Sequence, residues 1–183
     1  MTTSQGPPDP AGSPDHPQPA GAGPRWLDDG EQRTWQAYLH ATALLEDHFD
    51  RQLQRDAEMP HLYYGLLVQL SRAPGRRMRM TDLACQSKIT RSRLSHAVSR
   101  LERNGWVRRE SCPSDRRGQF AVLTDRGAAV QAAAAPGHVA TVRAALFDRL
   151  TTEQVAQLGE ICRTVAEGLQ PADRPGADLP WLR

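Results

Sequence analysis

Between Thr90 and Arg103 the sequence TRSRLSHAVSRLER sets short hydroxyls, a histidine and arginines around a helical repeat. At about 100° per residue, Leu94, Val98 and Leu101 gather on one side with Ala97 at the margin, while Ser92, His96, Ser99 and Arg103 lie opposite. A face of small donors and acceptors with no carboxylate before Glu102 suits insertion between two rows of phosphates, where side chains reach base edges. Thr90 and Arg91 stand at the start of this helix, where the positive end of the dipole favours an anion.

A second basic group follows in RRESCPSDRRGQFAVLT, residues 108–124, which reads as two strand-like runs around a Pro-Ser-Asp turn. Arg116 and Arg117 at a projecting tip have the reach to enter a minor groove or clamp a phosphate. Asp115, two residues before Arg117, is placed to hold a guanidinium in one direction by a charge-assisted hydrogen bond. Residues 88–117 contain nine Lys or Arg against three acids, a surplus of six, so the rest of a chain of net charge +2 must be near −4. A basic block in an otherwise acidic chain is the footprint of a phosphate-binding surface.

The elements that must position these groups are mostly helical. From Asp28 to about Arg55, Trp35, Tyr38, Leu45 and Phe49 recur at helical spacing and predict a long first helix. Pro60 suits a first turn, and HLYYGLLVQLSRAPG predicts a second, largely buried helix with a Pro-Gly stop. TDLACQSK follows with Thr81 as the expected N-cap; then comes the helix capped by Thr90, with Gly105 in the left-handed position after its end. Two helices this close predict a helix-turn-helix. After the hairpin, Thr124 caps a helix in which Pro136-Gly137 predicts a kink or a short break. Thr151 and Gln154 have capping-box spacing, and Val155, Leu158, Cys162, Val165 and Leu169 form a narrow seam that wants a partner helix.

At 183 residues the chain fits one folded unit with extensions. Residues 1–24 and 171–183, rich in Pro, Gly and Ala, are expected to be disordered tails. No apolar run reaches the roughly 18 residues of a membrane span, so no membrane partner and a cytoplasmic location are expected. Three cysteines without a C-x-x-C pair argue against a disulfide framework or a zinc site, and no metal or cofactor is expected. The H-E-x-x-H, G-x-S-x-G, Walker A and Rossmann glycine patterns do not occur, which argues against an enzyme.

The order of elements resembles the MarR family of winged-helix transcription regulators. MRMTDLACQSKITRSRLSHAVSRLERNGWVRRE is similar to its helix-turn-helix, and DRRGQFAVLTDRG to its wing and the L-T-x-x-G start of the next helix. The resemblance spans roughly residues 30–169; Asp115 and Arg117 as D-x-R, with LTDRG, are its most specific parts. It implies a mostly α fold with a small β-hairpin wing, a winged helix-turn-helix inside a helical dimerisation scaffold. The DNA-binding part would cover about 60–123 within a domain of 25–170, and dimerisation helices about 28–55 and 124–169. It further implies a homodimer on a near-palindromic double-stranded DNA operator, acting as a ligand-responsive repressor. Ser92, Arg93, Ser95, His96 and Ser99 then fall in the recognition helix, and Arg116 and Arg117 on the wing. Ser87 and Lys88 stand where the family commonly has Leu and Gly, so the turn is expected to be rebuilt locally.

Many members respond to small phenolic or other apolar acids in a cleft between the dimer and DNA-binding parts. Trp35, Tyr38, His61, Tyr63 and Tyr64, on the first two helices, are candidates to line it, although aromatic residues at helical spacing are more often core. Redox control through a Cys thiol is the alternative: Cys112 lies in a basic stretch, Cys162 on the apolar seam, and Cys85 in the helix-turn-helix. A winged helix that binds RNA, or serves only protein interaction, is the remaining reading.

Overall fold

The computed structural model describes residues 24–112 and 115–169, without the side chains of residues 115–117. The expected tails, apart from Pro24, lie outside the described residues. The chain divides into two compact units at Ala37/Tyr38, inside the first helix. In the N-terminal unit, α1 (Asp29–Ala57) begins with a reciprocal cap: Asp28 Oδ1 accepts from the Glu31 amide at 2.8 Å, and Glu31 Oε2 accepts from the Asp28 amide at 2.9 Å.

In the second unit α1 runs on to Ala57 and carries Leu53, which is fully buried. Pro60 takes the N-cap position of α2 (His61–Arg72), and its side chain caps nothing. Asp50 of α1 replaces it, accepting from the His61 amide at 2.8 Å, so an orphan donor of one helix is satisfied by its neighbour.

The helix-turn-helix consists of α3 (Met80–Gln86) and α4 (Arg91–Arg103). Thr81 does not cap α3: the N-cap position is Arg79, and the Thr81 hydroxyl donates to Asp82 Oδ1 at 3.2 Å within the first turn. The turn is not rebuilt. Lys88 adopts φ +53°, with its amide on the Cys85 carbonyl and the Ile89 amide on the Ala84 carbonyl, the two bonds of a Schellman stop. Thr90 caps α4 by accepting from the Arg93 amide at 3.2 Å. Gly105, at φ +71°, ends α4 with the same pair of bonds, to Glu102 from Gly105 and to Leu101 from Trp106.

The wing is a three-stranded antiparallel sheet in the order β1 (Arg77–Arg79), β3 (Asp115–Leu123), β2 (Val107–Cys112). Its register pairs Met78 and Arg109 with Ala121, and Val107 with Leu123. β1 was not expected, because three residues in RMRM carry too little alternation to be seen. Thr124 caps α5 (Asp125–Ala145) through the Gly127 amide at 3.0 Å. Of the kink or short break expected at Pro136-Gly137, the break does not occur: α5 runs through both residues. α6 (Thr152–Gly168) starts with the Thr151–Gln154 capping box in full. The core joins Leu53, Leu66, Leu67 and Leu70 to Leu83, Leu94, Val98 and Leu101 and to Val107, Ala121 and Leu123, which fixes α4 against the wing.

Candidate nucleic-acid interface

α4 buries Leu94, Ala97, Val98 and Leu101, as its periodicity required. The opposite face carries Arg91, Ser92, Arg93, Ser95, His96 and Arg103, all exposed, with Ser99 partly covered and Thr90 exposed at the cap. The predicted residues of the helix are thus brought to one surface. β3 begins at Asp115 and carries Arg116 and Arg117 on its backbone; the side chains of these three predicted residues lie outside the described ones. A groove of about 310 Å³ separates the start of α4 from the wing, lined by Arg79, Thr81, Arg91, Ser95, Gly118 and Gln119 among others.

Of the seven basic residues of this block whose side chains are described, two are engaged within the protein. Arg108 pairs with Glu110 on the outer side of the sheet. Arg109 points the other way, toward α4, where Nη1 meets Glu102 Oε2 at 2.6 Å and Nη2 meets the Ser95 carbonyl at 2.9 Å and Ser99 Oγ at 3.1 Å. Glu102 Oε1 also accepts from the Arg109 amide at 2.9 Å. Charge counting missed this role. Strand alternation holds the signal for it: Arg109 shares a face with buried Val107, and Glu102 is the nearest acid upstream. Arg77 and Arg79 of β1, also missed, lie over the Phe120 ring at 5.0 and 5.5 Å.

The candidate effector residues part company. Tyr64 is buried, Tyr63 packs on the core, and Trp35 and Tyr38 are 48% and 57% exposed. His61 and Tyr64 do meet, around His138 of α5: the rings of His61, Tyr64 and Phe49 lie 5.4, 4.7 and 5.5 Å from it. His138 Nδ1 is 3.2 Å from Oε1 of buried Gln52, and His61 Nδ1 is 3.1 Å from Glu46 Oε2. Burial, and then the neighbouring His61, hold the His138 pKa below the ordinary histidine value. Phe49, Gln52 and His138 were not foreseen at this junction, since His138 lies 86 residues along the chain from Gln52.

Cys112, singled out for its basic surroundings, is buried, which withdraws that thiol from an oxidant; Cys85 and Cys162 are exposed. No helix among the described residues is long and apolar enough to cross a membrane.

A recognition helix packed beside a three-stranded wing defines a winged helix-turn-helix protein. The model of the MarR family matches residues 63–118. The chain is 69% identical to Sco3205, a MarR family transcriptional regulator from Streptomyces coelicolor solved in complex with DNA, over 87% of this chain and all of that one, with a TM-score of 0.78. It is 42% identical to AbsC from the same organism, also a MarR family transcriptional regulator, over 80% of this chain and 98% of that one, with a TM-score of 0.74. The transcriptional regulator HosA of Escherichia coli O111:H- is 29% identical over 101 residues, 55% of this chain and 73% of that protein. The chain belongs to the MarR family of transcriptional regulators.

Proposed function

We propose that the protein binds a near-palindromic double-stranded DNA operator as a homodimer in the cytoplasm, represses transcription there, and is released by a small apolar or phenolic effector, without catalysing a reaction. The observation that carries this reading is the exposed face of α4, with Ser92, Ser95, His96, Arg91, Arg93 and Arg103 directed away from the core beside the wing. The likeness to a regulator solved with DNA supports it. Residues of about 60–123 meet DNA in this scheme, and the helices of about 28–55 and 124–169 hold the dimer. For the effector, a cleft of about 270 Å³ lined by Glu46, His61, Gln69, Ser87 and Arg93 is suggestive, because Arg93 would face both ligand and DNA. Burial of Cys112 favours this route over thiol oxidation.

The recognition helix and the wing are expected to fail differently. A base-edge contact discriminates by roughly 1–3 kcal/mol, whereas a phosphate or minor-groove arginine adds affinity that falls with salt. Arg116→Ala with Arg117→Ala should weaken binding to operator and scrambled duplex alike and flatten the salt dependence. His96→Ala should erode the preference for operator and leave non-specific binding nearly intact. Asp115→Ala should resemble loss of a wing arginine, although it makes the surface more positive. Titration of both duplexes at several salt concentrations decides; a wild-type chain with no preference for any selected duplex rejects the reading.

A further inference from the structure

A serine inside a helix ordinarily turns its proton back to the carbonyl four residues earlier. The helices here show the habit in threonines: Thr34 donates to Gly30, Thr42 to Tyr38, Thr141 to Gly137 and Thr164 to Glu160, at 2.9 to 3.1 Å. Ser71 of α2 uses the carbonyl three residues earlier instead, donating to Val68 at 2.8 Å. Ser99 shows neither bond among the described contacts: Arg109 stands at the Ser95 carbonyl, and the partner of the hydroxyl is that guanidinium. Its Nη2 donates both to the Ser95 carbonyl at 2.9 Å and to Ser99 Oγ at 3.1 Å, with Ser95 Oγ at a longer 3.4 Å. A carbonyl has two acceptor sites, and in mid-helix one belongs to the amide four residues on, so the guanidinium takes the other. It also takes a lone pair of the Ser99 hydroxyl. The pairing with Glu102 through Nη1 and the backbone amide locks the guanidinium plane, and both side chains are only about a quarter exposed.

We infer that Arg109 is a specificity-determining residue: by occupying the Ser95 carbonyl and the acceptor side of Ser99, it turns the Ser99 hydroxyl proton outward, so the recognition helix reads a hydrogen-bond acceptor on the major-groove edge, a purine N7, a guanine O6 or a thymine O4. The positive charge behind the serine disfavours approach of a base donor such as cytosine N4 or adenine N6. This rests on the DNA-binding reading above, and makes Arg109 a positioning residue that itself touches no DNA.

The test uses the full chain and a duplex selected from a random library by the wild type, with a scrambled duplex as reference, read as the ratio of the two dissociation constants. Ser99→Ala and Arg109→Ala should each lower that ratio by roughly tenfold, the worth of one good base contact. The double variant should lose little more than either single one, because both remove the same contact. The salt dependence should be unchanged. Since Arg109→Ala also leaves Glu102 unpaired, two further variants separate positioning from folding. Glu102→Gln, which loses the charge but keeps a carbonyl oxygen able to accept from Arg109, should lower the unfolding midpoint and keep the ratio. Arg109→Lys should recover stability and not the ratio. Additive losses, an unchanged ratio in Ser99→Ala, or an equal fall on both duplexes in Arg109→Ala would overturn the inference. Failure of the wild type to select any duplex would overturn the DNA-binding reading, and the inference with it.

Discussion

Lys88 holds φ at +53° in the turn between α3 and α4, where a side chain costs on the order of 1–2 kcal/mol. The two Schellman bonds and the packing of Ile89 against the core offset that cost, so the turn keeps the shape a glycine would give it. What the lysine adds is an exposed cation just ahead of the proposed recognition helix. Lys88→Gly is therefore expected to raise stability in urea unfolding by about 0.5–1 kcal/mol, less than the full strain because glycine has more chain entropy to lose. The same change should lower affinity for duplex DNA and reduce the salt slope by about one. A variant that is both more stable and equally salt-dependent would place Lys88 outside the interface. The sequence located this position, lacked the glycine and pointed to a rebuilt turn; that the strain is borne instead depends on the bonds to Ala84 and Cys85. Gly127 is a parallel case: LTDRG marks it as a motif position, and the structure supplies the reason. A Cβ there would lie 2.1 Å from the Trp106 carbonyl oxygen, so the wing closes on α5 only if that residue has no side chain.

At the scale of elements, the helices were legible because their caps and apolar stripes lie within a few residues of one another: Thr90, Thr124 and the Thr151–Gln154 box all act as read. What was not legible depends on distant partners. Pro136 inside a helix costs on the order of 3 kcal/mol, yet α5 continues through it. Ala134 packs on the core just before, and His138 enters the cluster with Gln52 and Tyr64 just after. Tertiary contact on both sides of the proline outweighs the local preference. That junction also sets a pH dependence. His138 faces His61 and Tyr64 of α2 and Phe49 and Gln52 of α1; Gln52 in turn donates to Asp56, and His61 meets Glu46. The His138 pKa is lowered by burial and then by His61. A histidine with a depressed folded pKa binds protons more readily when unfolded, so its stabilising contribution is complete above the ordinary value of 6.5 and is lost as pH falls through the folded value. Thermal unfolding should show the midpoint falling below about pH 6.5, and His138→Gln should flatten that limb. An identical pH profile in the variant would assign the acid sensitivity to other groups.

For the whole molecule, the uncovered apolar surface decides the assembly. α6 buries none of its residues within the single chain, and Ile161, Val165 and Leu169 are 60%, 54% and 77% exposed at successive four-residue steps. This agrees with the seam read from the sequence, except that Ile161 joins the stripe and Cys162 lies exposed beside it. Leu39 and Leu44 of α1 and Val139 of α5 are also about half exposed, and an open apolar groove of about 630 Å³ runs between Leu44 and Leu45 of α1 and Leu146 past the end of α5. A helix of 17 residues whose apolar face is largely uncovered has little to hold it, since packing of that face supplies most helical stability. A second copy of the chain would cover it, and the two-fold symmetry of such a pair would set two α4 helices about one DNA turn, roughly 10 bp, apart. Val165→Glu tests this without disturbing the core, because the side chain has no buried packing to lose in the single chain. Sedimentation should show the variant dissociating at concentrations where the wild type is dimeric. Circular dichroism should show loss of part of its helix content as α6 frays. Operator binding should fall with the dimer, because the second recognition helix is no longer tied to the first and must bind as a separate molecule. A wild-type chain that sediments as a stable monomer at micromolar concentration, or a Val165→Glu variant that keeps full operator affinity, would remove the dimer from the proposed mechanism.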